Sequence, residues 1–304
     1  MKKLLENLIT FKWLTGRRVV IGIPYLWLLL CSLLPFFIIL KISFAEMEIS
    51  NPFGTLLTYA DGIISLKIKI SNYLFIAQDD LYLLTYLNSI KFAAITTAFC
   101  LAIGYPFAYF MARAKPSIRP TLMMMVMLPF WTSFLLRIYA WKGILADSGV
   151  VNHLLISIGL LDAPLHMMHT PFSLLIGMVY SYLPFMILPL FSNLSKMDIR
   201  FIEAAADLGS TPWSTFWRIT VPLSKSGIIA GSLLVFIPCV GEFVIPELLG
   251  GPETSMIGHV LWDEFFSNND WPMASAVTVV AILLILVPMG IFNKYQSAQA
   301  QEQA

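Results

Sequence analysis

The sequence predicts an all-α membrane protein with six transmembrane helices, and three observations carry that reading. Of 304 residues, 58% are hydrophobic and only 12% are charged, about half the charged share of a water-soluble globule. Mean hydropathy is +0.78. The few charges are spaced so that six long apolar intervals lie between them, and a hydrocarbon core about 30 Å thick needs about 20 such residues at 1.5 Å each. The net charge of +1 excludes a basic nucleic-acid binder and an acidic solvating chain by overall balance. Cys31, Cys100 and Cys239 all fall inside apolar runs, which reads as small apolar filler and not as a disulfide framework.

Residues 1–18 read as an amphipathic helix lying on the inner membrane surface, with Leu4, Leu5, Leu8, Phe11 and Trp13 apolar among Lys2, Lys3, Lys12 and Arg17. The first span, 19–41, carries no charge between Arg18 and Lys41. It is too long for a signal-peptide core and no small-residue cleavage site follows, so it is expected to stay in place. An external loop, 42–86, follows; loops of that size usually fold or bind something. Within it Leu66, Ile68 and Ile70 alternate with Ser65, Lys67, Lys69 and Ser71, the period of a half-buried strand. Asp79 and Asp80 then offer a cap for an interfacial helix leading into the second span.

The transmembrane unit proper is expected over 87–292, with span two at about 88–112, span three at about 121–141 and span four at about 172–194. A loop over 195–222 leads to span five at about 226–247 and span six at about 272–292; 293–304 form a tail. With six crossings both termini share one side, and 13 of the 19 basic residues lie there against 6 opposite. The positive-inside bias therefore places both termini in the cytoplasm. The acids divide the other way, 5 inside and 13 outside, and an acidic outer face attracts an approaching cation. Pro24, Pro35, Pro106, Pro129, Pro184, Pro189, Pro238 and Pro288 fall within spans, where each deletes a backbone donor and bends its helix.

The loop SKMDIRFIEAAADLGSTPWSTFWRITVPLSK reads as two short helices at an angle. Ser195 and Asp198 form a capping-box pattern for the first, which runs through Ile202, Ala205, Ala206 and Leu208. Gly209 supplies a left-handed stop, Thr211 caps the second helix, Pro212 occupies its first turn and Pro222 ends it. The alanine-rich helix presents a shallow surface, flanked by Glu203 and Asp207, that can enter a groove on another protein.

Glu203, Ala204, Ala205, Gly209, Ile219 and Pro222 resemble the EAA loop of permease subunits of binding-protein-dependent ATP-binding-cassette importers, with Val221 where that pattern has Leu. IPYLWLLL (23–30), AIGYPFAYFMAR (102–113), MLPFWTSFLLRIYAW (127–141) and GEFVIPELLGGP (241–252) are similar to the polyamine branch, closest to putrescine permease subunits. The resemblance covers nearly the whole chain. It implies a type-1 importer permease (MetI-like) fold, with a strand-bearing periplasmic loop and a cytoplasmic coupling loop formed by those six residues. It also implies a second homologous permease, two ATPase subunits, a periplasmic substrate-binding protein and a small cationic polyamine as partners in a bacterial inner membrane. No cofactor and no nucleic acid are expected.

Several absences agree with a subunit that hydrolyses nothing itself. The sequence holds no G-x-x-x-x-G-K-[ST] phosphate loop, no HExxH and no GxSxG. His153, His166 and His169 lack a further ligand nearby, so ordinary loop histidines are expected in place of a metal site. Span five is more informative. Residues 226–241 give 16 uncharged positions, about 24 Å of helix, so Glu242 falls at or just inside the outer membrane boundary. A carboxylate there faces a water-filled cavity or a partner. Pro238, Gly241, Pro246, Gly250 and Gly251 point to a broken segment around it. Two arrangements remain open: Glu242 on a cation pathway together with Glu247, Asp263 and Trp262, or Glu242 paired with Arg137 or Lys142. Asp263, Glu264 and Asp270 form either a cation-attracting vestibule or a solvated loop. An ion-coupled transporter or channel and an intramembrane enzyme are the rival classes; the EAA spacing opposes the first and the missing catalytic cluster the second.

Overall fold

In the computed structural model of the chain, residues 16–46, 57–60, 63–66 and 68–302 are described. The expected surface helix over 1–18 lies almost wholly outside them. Helix α1, Gly16–Ser43, bears Pro24 and Pro35 without breaking. A hairpin follows, β1 Leu57–Ala60 antiparallel to β2 Ile63–Leu66, with Leu57 opposite Leu66. The alternating stretch 65–71 does not continue as a strand past Leu66. The Lys69 N–H donates instead to Phe44 O at 2.9 Å, and Ile70 is already in helical conformation at the start of α2, Ser71–Gln78.

Asp79 is extended and its carboxylate accepts the Leu81 N–H at 2.8 Å, which starts α3, Asp80–Arg113. The expected interfacial helix and span two are thus one 34-residue helix. Span three is not one helix. α4, Arg119–Met127, runs into a tight turn at Leu128–Trp131, and the chain restarts as α5, Phe134–Leu145, and α6, Val150–Ser157. The two halves meet at 86°. Pro129 sits inside that turn, Thr132 is extended, and its hydroxyl donates to Pro129 O at 2.7 Å, so no helical bond bridges the corner.

α7, Pro171–Leu194, is launched by a capping box between Thr170 and Ser173. α8, Arg200–Asp207, and α9, Pro212–Leu223, form the loop that precedes α10, Lys225–Val240. α11, Val244–Leu249, α12, Ile257–Trp262, and α13, Trp271–Glu302, complete the chain. Three helices are long and apolar enough to cross a membrane, or up to five when each of two bent pairs counts once; Trp271–Leu286 is a shorter apolar stretch. Three continuous spans, two bent pairs and this shorter stretch are the apolar helices found among the described residues.

The core is made where α3, α7 and α10 pack together around Cys100, Met111, Met178, Met186, Leu190 and Val235. A smaller cluster joins α2, α3, α12 and α13 through Ile76, Tyr82, Tyr86, Ile257 and Val277. α1 packs against α13 and leaves Tyr25, Trp27, Leu28 and Phe37 exposed, as suits a helix whose solvent is lipid.

Candidate functional site

Two regions gather the residues singled out by sequence, one at each end of α10. At its N-terminal end lies the α8–α9 loop. The Gly209 N–H donates to Ala206 O and the Ser210 N–H to Ala205 O, both at 2.9 Å. That pair of bonds needs a left-handed residue between them, and Gly209 has φ +81°. Thr211 Oγ1 accepts the Ser214 N–H at 3.3 Å, with Pro212 in the first turn. The capping box expected at Ser195 and Asp198 is absent. Buried Leu194 carries α7 onward, leaving Ser195 in helical conformation as the end of that helix, while an N-cap is extended. Asp198 accepts the Arg200 N–H at 3.0 Å instead. α9 runs one residue past Pro222, to Leu223. The helix widens into a π turn at Phe216–Thr220, which relieves the clash of the proline ring with the preceding turn, and the 67° bend into α10 falls at Ser224.

Within the motif Ala205 is buried, Ile219 is half-buried, and Glu203, Ala204, Gly209 and Pro222 are exposed. Leu208 and Trp213 are 88% and 72% exposed, and Phe201 and Trp217 lie open beside them. The loop is seated by an aromatic contact that the motif does not include: the Phe216 ring meets Tyr105 at 5.4 Å and Tyr109 at 6.1 Å, both edge to face. Tyr105 also shares a 2.7 Å hydrogen bond with Ser224 at the bend. α9 and its bend are thus in direct contact with α3.

At the other end of α10 the chain breaks at Gly241–Phe243. Glu242 is half-buried there. Its Oε1 accepts the N–H groups of Val244 and Ile245 at 3.1 and 3.4 Å, and its Oε2 accepts the Tyr182 hydroxyl at 2.5 Å. The carboxylate therefore starts α11 and ties it to α7. The pairing with Arg137 or Lys142 is not formed among the described residues. The Arg137 guanidinium lies over the Phe130 and Phe134 rings, 5.0 and 5.7 Å from their centroids.

Glu247 and Asp263 are brought together by a residue that sequence reasoning passed over. His259 Nε2 is 2.6 Å from Glu247 Oε2 and its Nδ1 is 3.2 Å from Asp263 Oδ2. The four-residue step from His259 to Asp263 was the available signal, since it puts both on one helix face. Trp262 stacks on Phe243 at 4.6 Å, beside Glu242. Glu247 and His259 line a cavity of about 420 Å³ with His169, Gly250, Gly251 and Thr254. Glu264 accepts the Tyr82 hydroxyl at 2.7 Å and Asp270 caps α13 through the Met273 N–H at 2.9 Å, so both acids are engaged in the fold. His166 bonds Asp147 and His169 bonds Gly250 O.

The break is closely packed. A Cβ on Gly258 would lie 2.5 Å from Gly241 O and 2.7 Å from Glu242 O. Gly258→Ala is expected to destabilise the chain by about 1–3 kcal/mol, read as a lower melting temperature and a smaller monodisperse fraction in detergent. An unchanged melting curve would show that α12 is free to move off the break.

Residues 101–299 match the family described as "Binding-protein-dependent transport system inner membrane component". The chain belongs to that family. As an inner-membrane component of a transport system it is a transport subunit and not an enzyme. It is 39% identical over 281 residues to the spermidine/putrescine transport system permease protein PotB of Haemophilus influenzae, covering 92% of this chain and 93% of that one. PotB of Escherichia coli is 38% identical over 265 residues, 86% of this chain and 92% of the relative. Among solved structures, a bacterial ABC transporter involved in the import of the acidic polysaccharide alginate matches with a TM-score of 0.67 at 18% identity, covering 95% of this chain and 98% of the other. At that identity the likeness establishes the permease fold.

Proposed function

We propose that this permease is the membrane-spanning translocation subunit of an ATP-driven polyamine importer, with putrescine as its preferred substrate. The observation that carries the reading is the 39% identity to a spermidine/putrescine permease across 92% of the chain. In this reading both termini are cytoplasmic, a second homologous permease completes the pathway, and a periplasmic binding protein delivers the substrate. The comparison chain solved in complex with a substrate-bound periplasmic protein matches this one with a TM-score of 0.66. A pair of ATPase subunits powers the importer, and one of them docks on the open face of α8 and α9, where Glu203, Ala204, Ala205, Gly209, Ile219 and Pro222 form the contact and its frame. ATP-driven closure of those subunits moves α9, and Phe216 transmits the movement to Tyr105 and Tyr109 on α3. The packed helices then rock between outward and inward openings. Glu242, Glu247, Asp263 and Trp262 lie on the cation's route at the opposite end.

The test is uptake of labelled putrescine in cells lacking other polyamine systems, with unlabelled spermidine as competitor. Putrescine preference predicts that spermidine in equal amount leaves most of the uptake in place. Near-complete suppression would make spermidine the preferred substrate, and no polyamine uptake at all would remove the polyamine reading.

A further inference from the structure

His259 stands between two carboxylates from different elements. Glu247 comes from α11, and Asp263 lies one turn beyond His259 at the end of α12. Both ring nitrogens face a carboxylate oxygen. A neutral imidazole has one N–H and one lone pair, so it satisfies one of these contacts; the imidazolium, with two N–H groups, satisfies both. In its doubly protonated form the ring is a positive charge held between two negative ones. All three side chains are open to solvent, with exposures of 32% for His259, 56% for Glu247 and 46% for Asp263, and His259 and Glu247 face the 420 Å³ cavity. Glu247 also shares α11 with the Val244 and Ile245 N–H groups that bind Glu242. Whatever holds or releases Glu247 therefore acts on the helix that Glu242 starts.

An alkylammonium has three N–H donors and a full positive charge, so it competes with the imidazolium for either carboxylate. We propose that His259 is a resident cation occupying the place of a substrate ammonium, and that a delivered polyamine enters by displacing it from Glu247 and Asp263. The inference rests on the polyamine reading above and adds to it a gating residue: the acidic pair stays neutralised until a competing cation arrives.

The test is equilibrium binding of labelled putrescine to the purified complex of permeases and ATPases, without binding protein. His259→Gln keeps a hydrogen-bond donor and removes the charge, so affinity should rise about fivefold or more, the lower end of typical coupling between competing ligands. His259→Lys, a fixed cation, should bind more weakly than wild type, and adding Glu247→Gln to His259→Gln should abolish the gain. A purely structural bridge gives no such ordering. Equal affinity in wild type and His259→Gln overturns the proposal. Should His259→Gln fail to assemble, the wild-type complex supplies the measurement: carbethoxylation of His259, mapped by mass spectrometry and divided by that of the exposed His166 so that reagent consumed by the amine cancels, should rise when putrescine displaces the ring, and an unchanged or lower ratio overturns the proposal. Wild-type putrescine uptake combined with equal affinities removes only the role of His259. Absence of wild-type polyamine uptake removes the functional reading beneath it.

Discussion

Gly209→Val is expected to abolish transport while the protein stays in the membrane at wild-type abundance. Nothing lies within 4 Å of where a Cβ would stand at this position, so the space is open and the whole penalty is in the backbone. At φ +81° a side chain costs about 1–2 kcal/mol, more when it is β-branched. The chain escapes by giving up the bonds from Gly209 and Ser210 to Ala206 and Ala205. α8 then turns away from α9, and the exposed surface carrying Glu203 and Ala204 no longer forms one face with Leu208 and Trp213. Gly209→Asn is the control, since asparagine tolerates the left-handed region; it should keep a substantial part of the transport. Glu203→Lys tests the same surface without touching its shape, because Glu203 is exposed, and it should also abolish uptake by reversing a polar anchor. Full uptake by Gly209→Val at normal abundance would end the docking role of this loop.

Glu242→Gln is expected to lower dication uptake per assembled complex by about five- to a hundredfold, the effect of removing a charge contact worth roughly 1–3 kcal/mol. Assembly should persist. The amide oxygen of glutamine accepts the Val244 and Ile245 N–H groups as the carboxylate does, and the Tyr182 hydroxyl can turn to accept from its NH₂. Glu242→Ala differs in kind: it leaves the first amides of α11 without an acceptor, at about 1–3 kcal/mol, so the amount of complex itself should fall. Neither Arg137→Gln nor Lys142→Gln should rescue either variant, because the Arg137 guanidinium is committed to Phe130 and Phe134. Uptake normalised to complex abundance, for the singles and for the doubles with Arg137→Gln and Lys142→Gln, separates these outcomes. Rescue by either double would restore the ion-pair arrangement.

What could be read from the chain was whatever local chemistry decides. The left-handed stop at Gly209 and the Thr211 cap need only their neighbours, and both occur where the sequence puts them. The broken segment at Gly241 was legible for the same reason, since an acid and several helix breakers fall together. The Ser195–Asp198 pattern misled because a capping box needs an extended first residue. Leu194, 1% exposed in the core, instead draws α7 on through that position. Span three misled because prolines occur without a break in α1, α3 and α7; at Pro129 the hydroxyl of Thr132 takes the carbonyl and fixes the corner. The partner of Glu242 was beyond reach: Tyr182 is 60 residues from it in sequence, and only the packing of α7 against α10 and α11 joins them. Phe216 reads as one more aromatic residue in the loop until α3 places Tyr105 and Tyr109 against it.

The central claim is that this chain moves a polyamine with energy supplied by ATP hydrolysed on other subunits. Proteoliposomes containing this permease, its partner permease and the ATPase subunits, supplied with the binding protein and labelled putrescine, test it most directly. Accumulation should require ATP on the α8–α9 side and the binding protein on the other. It should also stop when any one subunit is left out and be unaffected by collapsing the proton gradient. Uptake by this chain alone, driven by an ion or proton gradient in the absence of ATP, would contradict it.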